Sequence, residues 1–364
     1  MSLAQTPLVN VVTPVYNGAR YLASCIESVL GQAYQNWEYI IVDNCSTDDS
    51  LEIAQSYARR EPRIRVHSNQ EHLGAVANWN YSVSQISSQS QLCKVLHADD
   101  WLFPECLQRM VEAAQAHPSA AIVSSYVLLE KNFSDRPTPE RSVLNAEFPY
   151  STQLQPGREL GRSYLLGDVY LTFAPSTILI RCDSIRRRDR LYDDSTGIYA
   201  ALDRQVALEL LENGDFAFVH QVLVGAREHV ASLTSKINQH SLRYPETLRL
   251  LRRFGHIYLS DAEYDLRWKH AISVYSSFLG RSVFARRKKG FWSFHREQLR
   301  EFGSPIRFFA LPTHAAREVW RILTGPLILR PALDPRAASP PPDRSPRSSR
   351  LDPVHRPSPA KDES

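Results

Sequence analysis

The sequence predicts an α/β fold in which helices cover both faces of a mainly parallel sheet. Short apolar runs, rich in β-branched residues, lie at 8–12, 37–42, 64–67 and 91–96, and they alternate with segments whose apolar residues recur at helical spacing. Parallel strands need long crossover connections, which helices usually supply, so the alternation favours a doubly wound sheet. We expect the ligand site at the carboxyl ends of these strands.

The composition is that of an ordinary globular protein. The chain has 364 residues, of which 43% are hydrophobic and 23% charged, and its net charge of +4 is too small to indicate a nucleic-acid partner. Its five cysteines include no C-x-x-C pair, which favours a reducing compartment over a disulfide framework. Residues 1–10 show no basic stretch followed by an apolar one, so we expect no secretory leader, and no apolar run approaches the ~18 residues that span a bilayer. We therefore predict a cytoplasmic protein.

The first half of the chain supplies four strand–helix units. Strand 8–12 breaks at Pro14, because proline lacks the N–H that a central strand needs, and an amphipathic helix follows over 22–30. Strand 37–42 stops at the polar cluster 43–50, where Ser46 or Thr47 can cap the next helix. Strand 64–67 precedes a helix over 74–84, and strand 91–96 leads to Asp99 and Asp100. Each strand therefore delivers polar side chains to one edge of the sheet.

The stretch 94–102 is the candidate metal site. Asp99 and Asp100 follow an apolar run directly, and adjacent carboxylates suit Mg²⁺ or Mn²⁺, whose other positions go to water and phosphate oxygens. An acidic turn, with Asp100 capping the helix that begins near 103–105, is an equally open interpretation. The chain has neither a G-x-x-x-x-G-K-[ST] loop nor a G-x-G-x-x-G loop. A bound nucleotide would therefore need a metal to balance its charge.

Three motifs, at 11–17, 40–48 and 94–102, resemble those of the family 2 glycosyltransferases in order and spacing. The resemblance covers about the first two thirds of the chain. It implies a GT-A fold, which is a Rossmann-like, mixed and mainly parallel sheet flanked by helices. It also implies an inverting hexosyltransferase that uses Mg²⁺ or Mn²⁺ and moves a sugar from a UDP- or dTDP-sugar to the hydroxyl of a glycan or lipid-linked sugar acceptor. Bacterial polysaccharide or cell-surface glycan biosynthesis is the expected setting.

The resemblance also implies a nucleoside site at the ends of the first strands. Thr13, Pro14 and Tyr16 would line the base and ribose pocket, and Asp43 would bond to the base, usually uracil or thymine. The residue His72 stands where relatives usually carry Asn. The full set of implied nucleoside contacts is Thr13, Pro14, Tyr16, Asp43, Asn44, Ser46, Asn69 and Asn78.

The segment His97-Ala98-Asp99 stands at the place of the family's Asp-x-Asp motif, which makes Asp99 the implied metal ligand. His97 departs from that pattern, and it could contact the ribose, carry a proton or be a neutral core histidine. With Asp100 these residues belong to the implied donor site. Arg227 and His229 resemble the family's Arg-x-His element, on a loop near the diphosphate, with His229 touching the metal or lying on the surface.

Asp203 is the predicted general base. Transfer with inversion needs a carboxylate that takes the proton from the acceptor hydroxyl, and the resembled family carries an acidic residue at this position. Asp203 could instead be a first-turn residue favoured by the helix dipole. The fallback candidates for the base are Asp193 and Asp194.

We predict three regions: a catalytic domain over 1–239, a helical region over 240–334 and a disordered tail over 335–364. The first region also includes strands at 119–125, 170–181 and 216–224, and an irregular excursion at 131–156 that resembles a lid. The second has helices at 244–258 and 260–279, then apolar segments at 306–311 and 319–329. Basic residues at 281 and 286–289 precede Phe291, Trp292 and Phe294, which indicates either peripheral contact with the inner face of a membrane or a solvated helix end.

Two other functions fit parts of the sequence. A catalytically silent nucleotide-sugar-binding protein would keep the donor site without turnover, but the chain retains Asp99, Asp100 and Asp203. A sugar-phosphate nucleotidyltransferase would begin with a Gly-rich phosphate loop, which residues 13–18 do not supply.

Overall fold

The computed structural model of the chain describes residues 6–132, 140–193, 201–229, 241–283 and 290–303. These residues lie within one compact unit, Met1–Thr324. The described strands are β1 (Val9–Val15), β2 (Trp37–Asp43), β3 (Ile64–Ser68), β4 (Leu92–Val95), β5 (Trp101–Leu102), β6 (Ala120–Asn132), β7 (Glu140–Leu144), β8 (Leu154–Gln155), β9 (Ile178–Arg181) and β10 (Asp215–His229).

The described helices flank this sheet or extend beyond it. They are α1 (Ala19–Leu30), α2 (Ser50–Ala58), α3 (Ala75–Ser84), α4 (Cys106–Ala116), α5 (Gly157–Leu166), α6 (Cys182–Arg186), α7 (Leu202–Leu211), α8 (Arg243–Tyr258), α9 (Asp261–Ser282) and α10 (Phe291–Glu301).

The sheet has the order β3-β2-β1-β4-β9-β6-β10-β5, with β7 paired to β6 and β8 to β10. Strands β1 to β4 are parallel, and the register pairs Val15 with Asp43 and Asp43 with Ser68. The carboxyl ends of β1, β2 and β3 therefore meet at one edge. All seven residues of β1 are buried, and the strand continues through Pro14 to Val15, so the predicted break at Pro14 was wrong. The predicted mixed, mainly parallel sheet is confirmed.

The second half of the sheet departs from the prediction in three places. Strand β9 spans only Ile178–Arg181, because a 3₁₀ turn at Pro175–Thr177 interrupts the extended run expected from residue 170. It runs antiparallel to β4 and β6. The predicted excursion contains β7, which pairs with β6, and the short strand β8. Residues 133–139 lie outside the described part, and a lid role for the segment stays a prediction.

Strand β10 is longer than the predicted 216–224. It runs parallel to β6 as far as His229, with register shifts at Asp215/Phe216, Val219/Val222 and Val222/Val224. Arg227 and His229 are therefore strand residues and not loop residues, because the ladder with β6 continues past the apolar part of the sequence. Strand β5 pairs with β10 in antiparallel register, Trp101 opposite Gly225. That pairing brings Asp99 and Asp100 beside the end of β10.

The core lies on both faces of the sheet. On one face α1 and α4 pack Ile26 and Met110 against the strands, and on the other α5 and α7 pack Leu160 and Val206. A third apolar cluster joins the C-terminal helices to Leu208 of α7.

The C-terminal helices begin and end close to where the periodicity predicts. Phe291 is 2% exposed and packs in the core, so this aromatic residue is unavailable for the predicted membrane contact. Among the described helices, none combines the length and the apolar character needed to cross a membrane. The basic residues 286–289, the segments 306–311 and 319–329, and the predicted tail lie outside the described residues.

Candidate active site

A cavity of about 240 Å³ opens at the carboxyl ends of β1 and β2, beside α3. Tyr16, half exposed, forms one wall and meets the ring of His72 edge-on, with 4.5 Å between centroids. Of the residues predicted to hold a nucleoside, Pro14, Tyr16, Asn44 and Asn78 line this cavity. The full lining is Pro14, Val15, Tyr16, Asn44, His72, Leu73, Ala75, Asn78 and Trp79.

Thr13, also predicted to line the pocket, lies in the core instead. Its hydroxyl is 2.9 Å from the Tyr39 hydroxyl and donates to the Leu96 carbonyl oxygen at 2.8 Å. The reason is strand alternation, because Thr13 points to the face of β1 that carries Val11 and Val15. Thr13 therefore ties β1 to β2 and to the chain after β4.

Asp43, at the end of β2, is 1% exposed and only partly satisfied. Its Oδ2 accepts a hydrogen bond from the backbone N–H of Ser46 at 3.1 Å, whereas its buried Oδ1 has no partner among the described residues. A buried acceptor without a donor is costly, and a ligand N–H would relieve that cost. Asp43 itself does not line the cavity, although its neighbour Asn44 does, and its unpaired Oδ1 is the feature that keeps it a candidate for ligand contact.

Ser46 holds the turn after β2 to the turn after β1, because its Oγ accepts from the backbone N–H of Asn17 at 3.0 Å. Neither Ser46 nor Thr47 caps α2 as predicted, since the residue at the N-cap position is Asp49. The hydroxyl of Ser50 donates to Asp48 Oδ1 at 2.5 Å at this helix start. The cap prediction was wrong because α2 begins only at Ser50, and Ser46 and Thr47 instead form hydrogen bonds with Asn17 in the turn after β1.

The amides of Asn44, Asn69 and Asn78 form a network under the cavity. Asn69 Nδ2 donates to Asn44 Oδ1 at 2.8 Å and to Asn78 Oδ1 at 2.9 Å. Asn44 also receives the Leu73 N–H at 2.9 Å and donates to the Leu73 carbonyl at 2.8 Å. The structure therefore engages Asn69 and Asn44 in shaping the loop that carries His72.

The two carboxylates after β4 are held by the end of β10. Asp99 Oδ2 lies 3.1 Å from Nε2 of His229, and Asp100 Oδ1 accepts from the backbone N–H of Arg227 at 2.9 Å. The Arg227 guanidinium donates to the Asp99 carbonyl at 2.7 Å. Asp100 does not cap α4, whose N-cap residue is Glu105. The four predicted residues of this part of the site are thus brought together.

The pKa values of the two carboxyls move in opposite directions. Burial acts to raise the pKa of Asp99, but the hydrogen bond from His229 and the positive charge of His97 outweigh it, so the pKa falls below its ordinary value. Burial and the neighbouring charge of Asp99 raise the pKa of Asp100 to about 7. Opposed shifts in adjacent acids are typical of functional sites.

The donor atoms here fit a divalent cation. One ligand atom each from His97, Asp99 and Asp100 lies within 4.8 Å of the others, and His229 reaches Asp99 from β10. Carboxylate oxygens with an imidazole nitrogen suit Mn²⁺ and, with fewer nitrogen ligands, Mg²⁺. Among the described residues, His97, Asp99 and Asp100 form the group that could share such an ion, and His229, the other predicted ligand, contacts it through Asp99.

His97 is half-buried at the site and not enclosed in the core. Its backbone N–H donates to Ser176 Oγ at 3.0 Å, and its ring stacks on Trp79 with 6.0 Å between centroids. His97 therefore lies between the cavity, which Trp79 lines, and the acidic pair. Ala98 is half-buried against Gly18, where an added Cβ would approach to 3.3 Å.

An aromatic cage surrounds Arg227. Its guanidinium lies 4.2 Å from the ring of Trp101 and 5.1 Å from that of Tyr21, and Tyr21 also contacts His229 at 5.1 Å. The indole of Trp101 rests on the backbone of Gly225, where an added Cβ would fall 2.0 Å from the ring. The cage fixes the direction of the Arg227 side chain beside the acidic pair.

Asp203 lies half-buried in the first turn of α7. Burial raises its pKa to about 6, against the opposing positive charges of His97 and Arg204. Asp193, a fallback candidate for the base, accepts a hydrogen bond from Arg253 at 3.2 Å and is held by that contact. Asp194 lies outside the described residues.

The sequence analysis named His72 only as a departure from the family pattern, and it did not assign Trp79, Ser176 or Tyr192 to the site. Asn80 forms two hydrogen bonds with the backbone of Tyr192, at 2.8 and 2.9 Å, and the Tyr192 ring packs on Trp79. These residues come from separate parts of the chain and carry no local motif. The sequence did offer one indication of these contacts. Asn78, Trp79 and Asn80 follow each other on one helix, and all three are large side chains that can form hydrogen bonds.

The chain is similar to known proteins both in sequence and in fold. Residues 10–188 match the family model described as glycosyl transferase family 2. TuaG of Bacillus subtilis, which is named for teichuronic acid biosynthesis, is 33% identical over 126 residues, which cover 35% of this chain and 49% of TuaG. The chain spans half or less of the length of the first curated relatives that it matches.

Two solved structures share the fold. S. aureus TarS 1-349 in complex with UDP-GlcNAc superposes with a TM-score of 0.56 at 17% identity, covering 84% of this chain and 83% of TarS 1-349. The mannosyltransferase PcManGT of Pyrobaculum calidifontis, in complex with GDP-Man and Mn²⁺, superposes with a TM-score of 0.50 at 14% identity, covering 88% of each chain. Residues 10–188 of this chain therefore form a glycosyl transferase family 2 segment.

Proposed function

We propose that the protein is an inverting, metal-dependent glycosyltransferase that moves a sugar from a UDP- or dTDP-sugar to an acceptor hydroxyl during polysaccharide assembly. One observation carries this proposal: an aromatic cavity and the Asp99–His229 pair open on the same sheet edge. The family, the UDP-GlcNAc and the GDP-Man with Mn²⁺ bound by the two structural neighbours, and the name of TuaG support it.

The nucleoside would enter the cavity between Tyr16 and Trp79. Uracil and thymine carry an N–H between two carbonyl groups, and the free Oδ1 of Asp43 is an acceptor for such a donor. Cytosine has a lone pair at the equivalent ring position, which Asp43 would repel. We therefore expect a preference for uridine or thymidine diphosphates.

The diphosphate would lie over Asp99, Asp100 and His229. Asp99 and His229 would hold Mg²⁺ or Mn²⁺, which, when bound, neutralises the charge that develops on the leaving diphosphate. Arg227 stabilises the arrangement by donating to Asp100 and to the backbone of Asp99. These contacts keep the carboxylates in place before the donor arrives.

Asp203 would act as the general base. It takes the proton from the acceptor hydroxyl while that oxygen attacks the anomeric carbon opposite the diphosphate, which inverts the configuration. Its pKa of about 6 suits this role, because the group is ionised near neutral pH and still basic enough to accept a proton. The acceptor would be a glycan or a lipid-linked sugar.

The first test is calorimetric titration of the full chain with UDP, dTDP, GDP and CDP, each with Mn²⁺ and with a chelator. We expect one uracil or thymine diphosphate to bind at least tenfold more tightly with metal. Asp99→Ala should abolish that metal dependence, whereas Asp183→Ala, an exposed carboxylate on α6, should leave it unchanged. The proposal would be contradicted if nucleotide affinity changed neither on addition of the metal nor in Asp99→Ala.

Binding without transfer would instead favour the catalytically silent nucleotide-sugar-binding protein. Incubation of the protein with the selected sugar nucleotide and a panel of glycan acceptors, followed by detection of released diphosphate, separates the two. A product of inverted anomeric configuration is expected.

A further inference from the structure

We propose that Glu246, on helix α8 of the C-terminal region, is a positioning residue for Asp203 and acts through Arg204. The inference rests on the proposed function, in which Asp203 is the base. It adds to the proposed catalytic machinery a residue of the C-terminal region, which lies beyond residues 10–188, the part that matches the family.

The central contact is an ion pair between α7 and α8. Arg204 Nη2 donates to Glu246 Oε2, and the side chain of Glu246 is 2% exposed while that of Arg204 is 26% exposed. Arg204 also interacts with the Tyr164 hydroxyl on α5. A buried carboxylate of this kind is held in one geometry, because losing its partner would leave it uncompensated. Since Arg204 follows Asp203 directly, the pair fixes the first turn of α7.

A second contact from the same helix face holds the chain before α7. Arg253, seven residues or about two turns after Glu246, donates to Asp193 at 3.2 Å and to Glu209 at 2.7 Å. Helix α8 thus forms ion pairs with both the first and the last turn of α7, and it also forms one with Asp193. One helix outside the family match therefore sets the position of the segment that carries the base.

Glu246 also acts on Asp203 through its charge. The groups that bear on Asp203 are His97 after β4, Tyr192 before α7, Arg204 and Glu246. His97 and Arg204 lower the pKa of Asp203, whereas the negative charge of Glu246 raises it. Removing the charge of Glu246 should therefore lower the pKa of Asp203 and also free the Arg204 side chain.

The test compares Glu246→Gln with the wild-type protein. Glutamine keeps the shape of the side chain, so we expect unchanged affinity for the preferred nucleotide diphosphate with Mn²⁺, measured by calorimetry. We expect kcat to fall about 10–100-fold with little change in KM, because the base is displaced and weakened. The acidic limb of the pH profile of kcat should move to lower pH.

A readout without turnover makes the inference independent of the acceptor. The carboxyl carbon of Asp203, labelled with ¹³C and assigned through Asp203→Asn, can be titrated by NMR in the full chain. Its midpoint should fall in Glu246→Gln and return towards the wild-type value in Glu246→Asp, which restores the charge.

Glu301→Gln is the matched control, because Glu301 pairs with Arg249 and Arg252 on α8 but lies away from α7. It should leave the titration of Asp203 and kcat unchanged. The inference would be overturned if Glu246→Gln changed neither the titration midpoint of Asp203 nor kcat. If the midpoint moves while the wild type transfers no sugar, the coupling stands and the proposed function fails.

Discussion

Asp99 and Asp100 adjoin in sequence, but their surroundings give them different chemistry. His229 and His97 favour the charged form of Asp99, whereas burial and the charge of Asp99 disfavour ionisation of Asp100. Asp203 shares the raised pKa of Asp100 and lies in a separate element. These opposite shifts match the proposed roles, in which Asp99 binds a cation and Asp203 accepts a proton.

At this scale we predict that Asp203→Asn lowers kcat by about 10²–10⁴-fold, since an amide cannot accept the proton of the acceptor hydroxyl. Donor affinity should stay within a factor of two or so of wild type, because Asp203 lies outside the nucleoside cavity. The wild-type rate should fall as the pH drops below about 6, where Asp203 becomes protonated. Steady-state assays of released diphosphate across pH 5–9 check this prediction, and unchanged turnover in the variant would remove Asp203 from the base role.

The loop between β3 and α3 shows how whole elements are joined at the site. The amides of Asn44, Asn69 and Asn78 connect the ends of β2 and β3 to the start of α3, and Leu73 lies across them. A hydrogen bond removed from such a network leaves its partners unpaired. The cavity wall therefore depends on side-chain amides as much as on the sheet.

We predict that Asn44→Ala lowers the free energy of unfolding by about 1–3 kcal/mol, because it leaves Asn69 and both backbone groups of Leu73 without this partner. Urea denaturation measures the change. Nucleotide affinity should weaken as well, since Leu73 lines the cavity. Asn36→Ala is the control, because the exposed Asn36 amide donates one hydrogen bond to Thr6, and its effect should stay below about 0.5 kcal/mol. Equal effects of the two variants would contradict the network's importance.

Elements differ in how far the sequence reveals them. Strands β1, β2 and β4 are buried almost throughout, so their apolar runs mark them to within a few residues. Strand β10 was underestimated because its last residues, through His229, are polar and continue only by pairing with β6. The polar strand ends predicted residues that gather at the candidate site, such as Asn44 and Asp99, whereas Ser176 reaches it through tertiary packing that leaves no local pattern.

Across the whole molecule, stability and activity place opposite demands on Asp203. The pKa of Asp203 in the folded protein is about 6, above its ordinary value of 3.8. Between these two values the folded state binds more protons than the unfolded state, so the stability contributed by this group falls as the pH rises through that window. Ionised Asp203 is thus a cost that the rest of the fold must offset.

We therefore predict that Asp203→Asn raises the Tm at pH 8 and has little effect on the Tm at pH 4. The expected gain in the free energy of unfolding at pH 8 is about 1–3 kcal/mol. Calorimetric unfolding of both proteins at the two pH values, with a chelator present, checks this prediction. Asp183→Asn, on the exposed face of α6, should change neither value. A loss of stability at pH 8 in Asp203→Asn would show that its charge is satisfied in the folded protein.

The close contact between Gly225 and Trp101 joins the segment that carries the two carboxylates to strand β10. Trp101 follows Asp100 directly, and its indole has room only because residue 225 carries no side chain. A single methyl group there would push the ring outward, and with it the backbone turn that aims Asp99 and Asp100. The orientation of Asp99 and Asp100 thus depends on the missing side chain of Gly225, which lies more than a hundred residues later in the chain.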